Sequence, residues 1–254
     1  MKKVLDILLS KITVPASFLV ISGDITFQGH SQGYAEAIEA IESAIERRKL
    51  DRSNILVCPG NHDIVQEPSG LRYFTSFDEW SARLRGDKKC TFAGKSARLI
   101  SNDTGDFLLL NTAYHADHKT GLVDLSTATR LLEELPAQVV RAPQRLRVAI
   151  AHHHMIPVLF GDISTTQNAY LLIELLEKYG FSALLHGHQH AMLNLQVGQR
   201  GMILSGVGSF GYLTAGYINT VAIYRGRGSL IEKTERYGLT RDTRSGIVQL
   251  LTTD

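Results

Sequence analysis

A chain of 254 residues, 44% of them hydrophobic, is long enough for one large domain with a proper core, or a domain plus an appendage. A formal net charge of +2 points to neither a nucleic-acid groove nor a membrane surface. Two cysteines, Cys58 and Cys90, with no C-x-x-C pair, make no disulfide framework and favour a reducing compartment.

The opening Met-Lys-Lys and VLDILLSKI imitate a signal peptide, but Asp6 and Lys11 interrupt the apolar run, and Leu5, Leu8, Leu9 and Ile12 share one helical face. An amphipathic helix in a cytoplasmic protein is therefore expected. After Pro15, ASFLVIS reads as a buried strand. Tyr34, Ile38, Ile41 and Ile45 then repeat at helical spacing through an Ala- and Glu-rich segment, and NILVC reads as a second strand. Strand, helix and parallel strand form a crossover unit, and such sheets collect ligands at the carboxyl ends of their strands.

Residues 71–86 (LRYFTSFDEWSARLRG) read as helical and the polar stretch 87–97 as a connection or cap. FLLLNT is a strand, STATRLLEEL a helix begun by a Ser or Thr cap, RLRVAIA a strand, and residues 168–179 a helix. Past His190 the pattern turns to strands alone, MLNLQV, GMILSG, INTVAIYR and GSLIEKT. No internal repeat or low-complexity linker divides the chain, so a single domain over residues 1–254 is expected.

Four polar clusters stand after apolar runs: Gly-Asp-Ile-Thr after FLVIS, Gly-Asn-His-Asp after NILVC, His-His-His after LRVAIA and Gly-His-Gln-His after SALL. Asp, Asn and His supply the oxygen and nitrogen donors that suit Mn, Fe and Zn. Asp24, on a loop after a buried strand, can bridge two cations. Alternation lets one or two of His152, His153 and His154 face a site. His188 and His190, with one residue between them, face one side and can serve two adjacent metals. His186 reads as structural or as a supporting contact, and His30, His115 and His118 as surface or loop residues. No G-x-S-x-G elbow and no Walker-type loop occurs.

These four blocks, in this order and spacing, resemble the calcineurin-like metallophosphoesterase superfamily, and within it the bacterial cyclic-nucleotide and glycerophosphodiester phosphodiesterases. The resemblance spans roughly residues 14–209 and is carried by G-D at Gly23, G-N-H-D at Gly60, the histidines from His152 and G-H-Q-H at Gly187. The family's first block, Asp-x-His, does not occur ahead of Gly23. The chain is accordingly expected to be N-terminally truncated relative to the family and to lack its first strand.

The resemblance implies an α/β fold, a four-layer αββα sandwich of two mixed β-sheets flanked by helices. It implies hydrolysis of phosphodiester or phosphomonoester bonds by a metal-activated hydroxide, with a small-molecule phosphoester or nucleotide as substrate. The cofactors are divalent metal ions, Mn, Fe or Zn, two in the family and one expected in this chain.

Asp24, Asn61, His152 and His188 would hold one metal, with His153 the fallback for His152, while Asp24 and His190 would remain for the other. His62 would contact the phosphoryl oxygen and protonate the leaving alkoxide, and Asp63 would orient His62. Segments 68–105 and 161–166 are expected to border the pocket. The competing reading is a catalytically impaired regulatory or nucleotide-binding domain.

Overall fold

The computed structural model describes residue 5 and residues 18–66, 72–115, 119–136, 145–210, 219–241 and 248–252. The expected opening helix, Leu5 apart, lies outside them. Strand β1 (Leu19–Ile21) leads through helix α1 (Ser31–Arg48) to β2 (Ile55–Val57), which pairs with β1 in parallel, Leu19 opposite Ile55 and Ile21 opposite Val57. Helix α1 buries Tyr34, Ile38 and Ile45, the stripe legible in the sequence. It stops where Lys49 turns left-handed at φ 52° and returns its N–H to the last turn.

Strands β3 (Val65–Gln66) and β4 (Arg72–Tyr73) form a short antiparallel hairpin before helix α2 (Thr75–Arg85). The helix expected from residue 71 therefore begins later, because residues 72 and 73 are held extended by pairing with β3.

Strands β5 (Ala97–Ser101) and β6 (Gly105–Leu110) pair antiparallel, followed by helix α3 (Leu125–Glu133) and strand β7 (Leu146–Ile150). The cap of α3 is Asp124 and not the Ser or Thr expected. Its carboxylate accepts the Thr127 N–H at 3.0 Å, an acceptor two residues ahead of the STAT run. Then come helix α4 (Ala169–Lys178), β8 (Ala183–His186), β9 (Leu193–Val197), β10 (Met202–Gly206), β11 (Asn219–Arg227), β12 (Leu230–Arg241) and β13 (Val248–Thr252).

The main sheet has six strands in the order β5-β6-β7-β8-β10-β9. Its middle is parallel, β6 with β7, β7 with β8 and β8 with β10, and both edges are antiparallel. Successive side chains go to opposite faces. Phe107, Leu109, Val148, Ile150, Ala183 and Leu185 join a core shared with β2, α1 and α2. Their neighbours Leu108, Leu110, Ala149, Ala151 and Leu184 join a second core under α3 and α4. A sheet covered on both faces explains the unbroken apolar runs of β6, β7 and β8.

Tyr224 of β11 and Ile231 of β12 also pack on the first core, and the Tyr224 hydroxyl donates to Ser205 Oγ of β10 at 2.7 Å. Among the described residues, the second β layer comprises the parallel β1-β2 pair and the antiparallel β11-β12-β13 ladder. The architecture is thus a large mixed sheet flanked by helices. No described helix is long and apolar enough to cross a membrane.

A candidate metal centre at four strand ends

The four polar clusters follow β1, β2, β7 and β8 at their carboxyl ends. Gly23 and Gly60 let the first two meet. Gly23 has φ 88°, and a Cβ on it would lie 2.5 Å from the Gly60 nitrogen; a Cβ on Gly60 would lie 2.2 Å from Asp24 Oδ1. Two backbones can approach this closely only without side chains.

Residues Asn61–Asp63 form one 3₁₀ turn. The His62 backbone N–H donates to Asp24 Oδ1 at 2.9 Å, tying the two loops together. Asp63 is buried and ties them again: Oδ1 accepts the Ile25 N–H at 3.0 Å and the Tyr34 hydroxyl at 3.1 Å, and Oδ2 accepts the Gly60 N–H at 2.9 Å.

Asp63, expected to orient His62, is held by other partners. Its carboxylate faces inward onto backbone donors and Tyr34, while the His62 ring stacks on Phe27 with centroids 5.0 Å apart. Burial and the nearby Asp24 charge push the Asp63 carboxyl up to about 7.

At the end of β7, His152 is buried and its Nδ1 lies 2.7 Å from the Ser22 carbonyl oxygen. A carbonyl can only accept, so Nδ1 carries the proton and Nε2 of the neutral ring presents a lone pair. Around that Nε2 stand Asn61 Oδ1 at 3.0 Å, His188 Nδ1 at 3.0 Å and Asp24 Oδ2 at 3.2 Å.

Lone pairs this close would repel, and either a second proton on His152 or a shared cation relieves the repulsion. Donors about 2.1 Å from a shared ion stand about 3.0 to 3.4 Å from each other, so the spacing suits a first-row divalent metal. Asp24, His152 and His188 each offer a donor atom within 4.8 Å of the others. Although burial acts to raise it, the Asp24 carboxyl is held well below the usual carboxylate range by His152 and His62. Burial, followed by the charge of His152, lowers His188 to about 3 and so keeps it neutral. At His152 burial acts downward but the Asp24 carboxylate outweighs it, so positive charge is favoured at this point.

His152, and not its fallback His153, joins the cluster. His153 is buried with Nδ1 2.7 Å from Thr112 Oγ1, and burial lowers it to about 2. His154 Nε2 meets Asp162 Oδ2 at 2.8 Å. His186 is buried beneath Gly206, where a Cβ would lie 2.5 Å from its ring.

His190 accepts the Ser209 N–H at 3.2 Å and stands outside the Asp24-His152-His188 group. Asp24, His188 and His190 have φ of 55°, 77° and 50°, left-handed values that cost non-glycine residues about 1–3 kcal/mol each and gather where geometry serves function. His30 sits at the start of α1 without a capping bond from its side chain, and His115 Nε2 is 3.6 Å from Asp124. His118 lies outside the described residues. Sequence reasoning missed Ser22, Thr112 and Tyr34 as supports, since a carbonyl or hydroxyl partner distant in sequence leaves no local pattern.

Histidine, asparagine and aspartate donors gathered at the strand ends of a helix-flanked mixed sheet make up a candidate divalent-metal site. A sequence profile of the calcineurin-like phosphoesterase family matches residues 1–192, and the chain belongs to that family of metal-dependent phosphoesterases. No curated protein sequence matches it significantly.

Among solved structures, a dimetal phosphatase from Danio rerio is similar over 99% of this chain and 88% of its own, at 14% identity and TM-score 0.52. A phosphopantetheinyl hydrolase from Mycobacterium tuberculosis is similar over 80% of this chain and 84% of its own, at 13% identity and TM-score 0.49. Vps29 from Entamoeba histolytica, in a complex with zinc, covers all of this chain and 89% of its own at 13% identity and TM-score 0.42.

Proposed function

We propose that this chain hydrolyses phosphodiesters of small molecules or nucleotides, with Asp24, Asn61, His152 and His188 holding one Mn, Fe or Zn ion. The observation that carries this reading is the convergence of three donor atoms at 3.0 to 3.2 Å on the lone pair of His152 Nε2. A divalent cation held there supplies Lewis-acid charge to phosphoryl oxygens and lowers the pKa of an attacking water.

The Ser22 carbonyl fixes the His152 tautomer, and the His62 N–H positions the Asp24 carboxylate. His62, outside the donor cluster and stacked on Phe27, is the group assigned to protonate the leaving alkoxide. Asp24 and His190 are the residues this chain offers toward a second ion.

The test is turnover of bis-p-nitrophenyl phosphate with added Mn, by the wild type and by Asp24→Ala. Loss of at least about a hundredfold in the variant is expected. Equal activity would place the hydrolysis elsewhere and sink the assignment.

A further inference from the structure

The segment from His154 to Ser164 leaves the metal centre and returns to it. At its start, His154 Nε2 meets Asp162 Oδ2 at 2.8 Å, and Asp162 also accepts the Val158 and Ser164 N–H groups at 3.1 and 2.9 Å. At its end, the Gln189 amide, between His188 and His190, donates to Ser164 Oγ, and the Thr166 N–H donates to the His154 carbonyl at 2.8 Å. The base is thus fastened by side chains and backbone to both histidine loops.

The middle is built the opposite way. The Asp162 N–H donates to the Leu159 carbonyl at 3.1 Å, closing a turn that needs a positive φ at its third residue, supplied by Gly161 at 77°. Phe160 is driven to the corner and is fully exposed, while Leu159 is 74%, Ile163 70% and Val158 48% exposed. Phe27, which stacks on His62, is exposed as well.

An apolar patch of this kind marks a binding surface. Its position and its charge identify the occupant. Both ends are fastened beside the donor loops, with the His154 ring stacked on His188 at a centroid distance of 5.5 Å, so the exposed side chains rise from the rim of the candidate site. The segment Met155–Ser164 holds no Lys or Arg, and its one charge, Asp162, is engaged by His154. Segments that lie on membranes pair apolar side chains with Lys or Arg facing anionic headgroups, and this one does not.

Resting on the phosphodiesterase reading above, we infer that residues 156–163 form the subsite for an apolar arm of the substrate, so that the class hydrolysed is an amphiphilic phosphodiester with an alkyl or acyl group next to the phosphate.

The experiment compares p-nitrophenyl methyl phosphate with p-nitrophenyl hexyl phosphate, below any micelle concentration, on the Mn-loaded chain. A fully buried methylene is worth about fourfold, so partial burial of the chain gives a hexyl-to-methyl kcat/KM ratio of at least about tenfold. In Leu159→Ser/Phe160→Ser, and independently in Ile163→Ser should the first misfold by circular dichroism, the ratio falls toward unity. A flat ratio in the wild type, or an unchanged ratio in a folded variant, overturns the inference.

If the wild type hydrolyses neither ester, the phosphodiesterase reading fails. Calorimetric binding of hexylphosphonate against methylphosphonate then decides the subsite, with equal affinity overturning it. Co-sedimentation with phosphatidylcholine vesicles, or a dimer that the variants dissociate, combined with a flat ester ratio, reassigns the loop and overturns the inference too.

Discussion

Two neighbours in one 3₁₀ turn separate chemistry from architecture. His62 presents its ring to Phe27, and Asp63 presents its carboxylate to backbone donors and Tyr34. His62→Asn should lower turnover by about two to four orders of magnitude with melting temperature and bound metal near wild type. Asp63→Ala should cost about 3 kcal/mol, since it strands buried N–H groups and a hydroxyl, and should lower metal content with it. Denaturation, elemental analysis and steady-state kinetics on both variants check this; a stable, metal-replete Asp63→Ala with low turnover would return Asp63 to the role of orienting His62. The candidate donors were legible because Asp, Asn and His clusters recur directly after apolar runs. The Asp63 role was not, because its partners Ile25, Thr26 and Tyr34 are ordinary residues 29 to 38 positions away.

Among the elements, α3 depends most visibly on one side chain. Asp124 accepts from the Thr127 N–H and from the hydroxyls of Ser126, Thr127 and Ser96 at 2.7 to 3.0 Å. Burial acts to raise its pKa, but these bonds outweigh it and hold the carboxyl below the usual range. A depressed carboxylate contributes its stability above the unfolded pKa of about 3.9 and loses it as pH falls toward the folded value. Asp124→Ala should therefore cost about 1 kcal/mol at neutral pH, and the difference from wild type should shrink below about pH 4. Urea unfolding at pH 7 and pH 3 measures it; a constant difference would mean that the cap acts through packing alone.

At this scale α1, α4, β6, β7 and β8 follow from periodicity and unbroken apolar runs. Strands β5 and β13 and the β3-β4 hairpin do not: Ala97–Ser101 carries Arg98 and lies at a sheet edge, where pairing on one side only imposes a weak pattern.

For the whole molecule, three donor atoms gather about a fourth, His152 Nε2, whereas Asp24 and His190, the residues expected at a second ion, are too few to hold it tightly without substrate. The chain should retain about one Mn or Zn equivalent after gel filtration, and a cation held at a hundred times its Kd should stabilise the fold by about 2.7 kcal/mol. Elemental analysis and thermal melting before and after chelation check both; two tightly held ions would mean that another residue, such as His30 or His115, completes a second site.

The donors also come from different layers. Asp24 and Asn61 extend from β1 and β2, a ladder of three paired residues, while His152 and His188 extend from the six-stranded sheet. A shared ion is thus a cross-link between a weak ladder and a strong one. Chelation should accelerate amide hydrogen exchange across Leu19–Ile21 and Ile55–Val57 and leave Phe107–Leu110 and Val148–Ile150 slow, so that the site governs which part of the sandwich opens first.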